Sequence, residues 1–295
     1  MAGLDDILSS NENYIYNPNL DDIMKESSKS AESVLELESD AESIFEQETF
    51  IEPEIAEPRL APKILSSGIF VLDRSMGGGL PAGSVVYISA STKSMSEVFL
   101  YQFTQSRKTY YFSTERRTKY VKQNIQNMNF DPSDVVFVDV YESYFLSPHG
   151  EMIDNVGNEY VDAKIIEFTE YNLKSILAEA EDNEVNIIID TFSFFLNLNV
   201  NRGAIRRLLN IIYETTKETG GLTFLYGLKD TQDKKLENEI LNTCDGIFDI
   251  NLEKTGDKIV SKLSMPKIRG MTPTAEMIKF KIGEGIQIDT SRDIA

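Results

Sequence analysis

Residues Ala90–Glu97, Ala-Ser-Thr-Lys-Ser-Met-Ser-Glu, follow the strand-like run Val85–Ser89 and lead into a helix-like stretch, Ser94–Arg107. A loop between a strand and a helix suits an anion, because the helix start offers unpaired N–H groups. Phosphate-binding loops add three things: glycines that let successive N–H groups turn inward, a lysine, and a hydroxyl for magnesium. Here Ala90, Lys93 and Met95 carry Cβ atoms that resist the inward curl. Ser91, Thr92, Ser94 and Ser96 supply hydroxyls, and Glu97 supplies a carboxylate. A carboxylate about 4 Å from a phosphate costs roughly 4 kcal/mol at an effective dielectric of about 20. Lys93-Ser94 can also be read as a shifted Lys-Ser ending, in a loop too short to wrap two phosphates.

Other side chains could carry chemistry. Asn186–Asp190 is an apolar run that ends in a carboxylate. Glu115 follows the strand-like Thr109–Ser113, where it can orient water or simply favour a helix start. Lys267 and Arg269 lie two apart, so a strand puts both cations on one face. His149 is the only histidine and Cys244 the only cysteine. A metal site takes three or four ligands, so neither residue suggests one. No Gly-x-Ser-x-Gly nucleophile motif occurs.

The elements that must hold these residues alternate. Strand-like runs are Val85–Ser89, Thr109–Ser113, Val135–Val140, Val185–Asp190 and Leu222–Leu228. Helical stretches fall near Ser94–Arg107, Arg116–Met128, Asp162–Glu181 and Gly203–Thr219. This order predicts an α/β fold, a mostly parallel sheet with helices on both faces. After Cys244, Ile247–Leu252, Lys258–Met265 and Met277–Ile282 are short and turn-bounded, and predict antiparallel strands extending the sheet. Glu142–Tyr160 reads as a long loop.

Ser66–Ser89, with Gly77, Gly78, Gly79, Pro81, Gly83 and Ser84 before the strand, resembles the start of the core in the KaiC/RadA branch of the RecA superfamily. Leu100-Tyr101-Gln102-Phe103 continues that pattern, and Lys267-Ile268-Arg269-Gly270 matches the family's Lys-x-Arg-Gly. The resemblance covers roughly residues 62–290 and implies a RecA-like ATPase fold with a degenerate phosphate loop. In its ungapped register, Ser96 stands at the lysine position and Glu97 at the magnesium-binding hydroxyl. Asp190 takes the place of the Walker B aspartate that organises magnesium. Glu115 takes the first of two water-positioning glutamates, and Arg116 stands at the second. Lys267 and Arg269 correspond to cations that reach a neighbouring subunit's γ-phosphate. They are expected here to serve a subunit interface.

Net charge is −19, which argues against a nucleic-acid binder. The stretches Thr191–Asn201 and Lys229–Lys235, where recombinases of this family hold DNA, have too little net positive charge for that work. No apolar run is long enough to insert in a membrane, no secretory signal opens the chain, and a lone cysteine suits a reducing cytoplasm. Residues 1–60 hold 16 Asp/Glu against 3 Lys/Arg, the composition of a disordered tail. Leu4-Asp5-Asp6-Ile7 recurs at Leu20-Asp21-Asp22-Ile23, and Ala31-Glu32-Ser33 at Ala41-Glu42-Ser43. These repeats read as docking motifs for an unknown protein partner, or as chance within a biased composition. The expected layout is a disordered acidic tail, 1–61, and a RecA/KaiC-like domain, 62–295.

The expected function is a KaiC-like regulatory or scaffolding protein impaired in ATP hydrolysis, a pseudo-ATPase acting in archaeal signalling. ATP and magnesium would bind weakly at most. The core would associate with itself or with an active KaiC-like paralogue. The alternatives are an active ATPase with a non-standard loop, using Glu115 and Asp190, and a recombinase paralogue.

Overall fold

The computed structural model describes residues 62–180, 183–231, 233–255, 258–272 and 274–289. The expected tail and its repeats lie outside them. In chain order the elements are β1 (Ile64–Leu65), α1 (Phe70–Ser75), β2 (Leu80–Pro81), β3 (Ser84–Ala90), α2 (Glu97–Phe103), β4 (Thr109–Ser113), α3 (Thr118–Asn127), β5 (Val135–Asp139), α4 (Val140–Phe145) and α5 (Glu159–Ala180). They continue with β6 (Asn186–Asp190), α6 (Phe192–Leu196), α7 (Arg202–Thr219), β7 (Leu222–Leu228), α8 (Lys234–Thr243), β8 (Gly246–Thr255), β9 (Lys258–Ile268), β10 (Thr274–Gly283) and β11 (Gly285–Asp289).

A nine-stranded sheet has the order β11-β10-β9-β8-β3-β7-β6-β4-β5. From β8 to β5 every pairing is parallel, and from β8 to β11 the neighbours run antiparallel. This is the expected α/β architecture with its antiparallel C-terminal extension. β3, β6 and β7 are buried almost throughout, as parallel strands covered on both faces must be. One apolar layer holds Val86, Ile88, Tyr111, Ile188 and Phe224 against α2 and α3, and the other holds Val85, Phe112, Ile187 and Leu225 against α5, α7 and α8. Phe103 stacks on Phe224 at 4.1 Å, and Phe99 meets Phe280 of β10 edge-on at 5.0 Å.

Local chemistry explains the helix ends. In α7, Ile205, Leu208, Leu209, Ile212, Thr215, Thr216 and Thr219 are buried, a helical period. Asn201 caps its start by accepting from Ala204 N, and Gly220 closes it at φ +64°. Asp139 accepts from Glu142 N at 2.8 Å and from Thr118 N at 2.9 Å, so one carboxylate caps both α4 and α3.

That cap corrects the expected loop at Glu142–Tyr160. Its first turn is helical, and Tyr144 is anchored by donating to the buried Asp162 carboxylate. Thr191–Asn201 likewise contains α6, whose Phe192, Phe194 and Phe195 are buried. Among the described residues, no helix is long and apolar enough to cross a membrane.

Candidate functional site

Ala90–Glu97 lies at the C-terminal end of β3. The Ala90 carbonyl accepts from Lys229 N at 2.9 Å. A turn follows, in which Ser94 N and Oγ both donate to Ser91 O. The Ser94 and Ser96 hydroxyls are buried against each other. Thr92, Lys93 and Met95 face solvent. Met95 sits at φ +49°, a left-handed conformation that a methionine adopts at a cost. Half-buried Glu97 opens α2, where a carboxylate suits the helix dipole.

Asp190 ends β6 and is 2% exposed. It pairs with Tyr226 of β7, which pairs in turn with Ile88 of β3. Two strand spacings, about 10 Å, therefore separate Asp190 from the strand that carries the loop. Tyr111 Oη donates to Asp190 Oδ2 at 2.7 Å, and Arg116 Nη2 stands 3.7 Å from the same oxygen. Burial raises the Asp190 pKa, Arg116 and Tyr111 lower it, and Glu97 and Glu115 raise it further. Burial opposes the charge of Arg116, but Asp190, Tyr101, Tyr111 and Glu97 outweigh it and leave its pKa raised.

Hydrogen bonds between strand ends assemble this cluster. Thr114 N donates to Asp190 O at 2.8 Å, and Thr191 N to Thr114 Oγ1 at 2.6 Å. Glu115 follows directly, solvent-facing, with Oε1 accepting from Thr191 Oγ1 at 3.5 Å. Glu115, Arg116 and Asp190 thus converge. Tyr101, Tyr111 and Tyr226 share the same side of the sheet, and burial lifts all three phenols well above their ordinary range.

Lys267 and Arg269 lie elsewhere. Lys267 Nζ donates to Leu241 O at 2.8 Å and Asn242 O at 3.0 Å, closing the C-terminal end of α8. Arg269 donates to Asn242 O and, at 2.8 Å, to Asp245. Buried Asp245 also takes Lys217 Nζ at 3.0 Å and Val85 N at 3.1 Å. Val85 lies near the start of β3 and Ala90 ends it, so within one chain these cations sit at the opposite end of the strand from the loop.

Sequence reasoning marked Arg116 only as the residue in a glutamate's place. The three tyrosines and Asp245 went unmarked. Tyr111 was open to inference, since on an alternating strand it shares a face with Thr109 and Ser113, at the end that meets Asp190. Among the described residues, no group of three or more His, Cys, Asp or Glu is arranged to hold a metal ion.

A family model described as "Family of unknown function (DUF7125)" matches residues 64–295. No curated protein matches the chain. Among solved structures, a KaiC-like protein of the hyperthermophilic archaeon Pyrococcus horikoshii OT3 is similar at TM-score 0.59 and 18% identity, covering 77% of this chain and 99% of that one. Flagellar accessory protein FlaH of Methanocaldococcus jannaschii is similar at TM-score 0.56 and 17% identity, covering 78% of this chain and 99% of that one. At these identities the likeness is one of fold, and the fold is RecA-type and KaiC-like.

Proposed function

We propose, from the premise that this chain belongs to the DUF7125 family of unknown function, that it is a KaiC-like protein whose nucleotide site is degenerate and closed by its own side chains. It works as a regulatory or scaffolding subunit, with itself or an active paralogue as partner, rather than as an efficient ATP hydrolase. The observation that carries this reading is Arg116, held 3.7 Å from the buried Asp190 carboxylate. Its guanidinium supplies, within the chain, the positive charge that a metal ion would otherwise bring to that aspartate. Tyr111 takes the same oxygen, and the negative charge of Glu97 helps hold Arg116 protonated. The residues present fit a magnesium-bound triphosphate poorly. Glu97 would repel the phosphates, and Arg116 competes with the metal for Asp190.

One observation favours the alternative of a working ATPase. Glu115 is brought beside Asp190 through Thr114 and Thr191, the pairing that water activation and metal binding would need.

Calorimetric titration of the full chain with ATP, with and without magnesium, tests the proposal. Ligand at a hundred times its dissociation constant stabilises by about 2.7 kcal/mol, so thermal melts give a second readout. The expected result is no heat of binding and no rise in Tm. Magnesium-dependent binding, with turnover abolished by Asp190→Asn, overturns the proposal in favour of the ATPase. Met95→Gly, Ser96→Lys and Glu97→Thr combined with Arg116→Glu should create binding where the parent has none.

A further inference from the structure

The outward face of α3 differs from the rest of this acidic chain. Residues 116–130 hold Arg116, Arg117, Lys119 and Lys122 and no Asp or Glu, in a chain of net charge −19. Val121 and Ile125 turn inward onto the sheet layer, which leaves Lys119, Tyr120, Lys122, Gln123, Gln126 and Asn127 exposed. Arg116 and Arg117 are engaged, by Asp190 and, at 3.4 Å, by Glu142. Among the described residues, Lys119 and Lys122 have no carboxylate partner. The longer helices behave otherwise. α5 pairs Lys164 with Glu167, and α7 pairs Arg206 with Glu239 and Arg207 with Glu170.

This face has a definite chemistry. Lys119 Nζ stands 4.9 Å from the centroid of the Tyr120 ring, which is 51% exposed, so a cation and an apolar surface lie side by side. The two ammonium groups donate to carboxylates, and the side-chain amides can both donate to and accept from a peptide backbone. The fitting partner is a polypeptide segment in which acids alternate with aliphatic side chains. Nucleic acid offers charge to the same lysines, but the field of so acidic a chain repels it. The chain itself carries segments of the fitting kind. Leu20-Asp21-Asp22-Ile23 and Ala41-Glu42-Ser43-Ile44-Phe45-Glu46 lie within residues 1–60, where acids outnumber bases 16 to 3.

We propose that the α3 face of one copy binds the acidic repeats of a second copy, with carboxylates on Lys119 and Lys122 and an aliphatic side chain on Tyr120. The proposal rests on the reading that this chain takes itself as a partner, and it names the surfaces that meet. Each exposed ion pair is weak, and the repeats compensate by presenting several such segments at high effective concentration.

A fluorescein-labelled peptide of residues 17–48 is titrated with the full chain and followed by anisotropy. Saturable binding is expected, weakened about tenfold between about 50 and 500 mM salt. Lys119→Glu combined with Lys122→Glu should weaken it about tenfold as well. Both lysines are exposed, so the Tm of that variant should match the parent's and show the fold intact. No saturable binding, or binding that the lysine reversal leaves unchanged, overturns the proposal. So does a single-stranded oligonucleotide of equal length that binds where the peptide does not. Sedimentation of the full chain separates this inference from the reading beneath it. Self-association that survives the lysine reversal refutes the α3 surface and leaves that reading standing, whereas a wild-type chain that stays monomeric refutes both.

Discussion

Arg116→Gln should destabilise the protein chiefly through Asp190, and the size of the effect follows from the geometry. Opposite charges 3.7 Å apart attract by about 4.5 kcal/mol at an effective dielectric of about 20. The Arg116 side chain is 38% exposed, so solvent screening brings this to about 2 kcal/mol. Asp190→Asn should cost little, because the amide oxygen can still accept from Tyr111 and the buried charge is gone. A double-mutant cycle over Arg116→Gln and Asp190→Asn should return a coupling near 2 kcal/mol, measured by urea unfolding. The pH dependence gives a second handle. Burial raises the folded-state pKa of Asp190 above its unfolded value of about 3.9. Between those two values the native state keeps a proton that the unfolded chain has released, so this group's contribution falls as pH rises through that window. Removing Arg116 deletes the leading cause that lowers the pKa, and moves the upper limit of the window higher. The cost of Arg116→Gln should therefore be largest at neutral pH, shrink in acid, and fall sharply in the Asp190→Asn background. A coupling below about 0.5 kcal/mol, or a loss no smaller in acid, where Asp190 is protonated, than at neutral pH, would refute the assignment of Arg116 as counter-ion.

Further expectations concern other parts of the chain. Asp245→Ala strips the buried acceptor from Lys217, Arg269 and Val85 N, and should cost about 3–5 kcal/mol in urea unfolding. Gly79→Ala places a Cβ 2.0 Å from Leu65 O at φ +140°, whereas Gly77→Ala meets nothing within 4 Å. The first should cost several times the roughly 1–2 kcal/mol of left-handed strain expected for the second, as read from paired thermal melts. Lys267→Met should weaken the C-terminal turn of α8, seen as faster amide exchange there with Asn186–Asp190 unchanged.

How far the sequence reached differs between fold and site. The core strands were legible because Val85–Ser89, Thr109–Ser113 and Leu222–Leu228 are apolar runs bounded by turn residues, and burial on both faces demands such runs. α4 was not, because six residues are too few to show a helical period, and its stability comes from the Asp139 cap and the Tyr144–Asp162 hydrogen bond. The place of Asp190 on one side of the sheet with Tyr111 follows from strand alternation. The reach of Arg116 to Asp190 does not. It depends on a turn set by the Thr114–Thr191 hydrogen bonds between residues 77 positions apart, which no local pattern records. Lys267 and Arg269 were expected to share a strand face directed at a neighbour. Their intramolecular partners are the last carbonyls of α8, an element that periodicity did not mark, and Asp245 just beyond it.

The shared cap at Asp139 has a consequence for how the edge of the sheet opens. Helices α3 and α4 leave their strands separately, yet an amide in the first turn of each, Thr118 N and Glu142 N, is fastened to one of the two oxygens of a single carboxylate. Fraying of either helix removes a restraint from the other. Strand β5, which carries Asp139, has β4 as its only sheet neighbour among the described residues. This border of the domain should therefore detach as a single cooperative unit, with the amides of both first turns exchanging at one common rate, slower than either helix would show if capped alone.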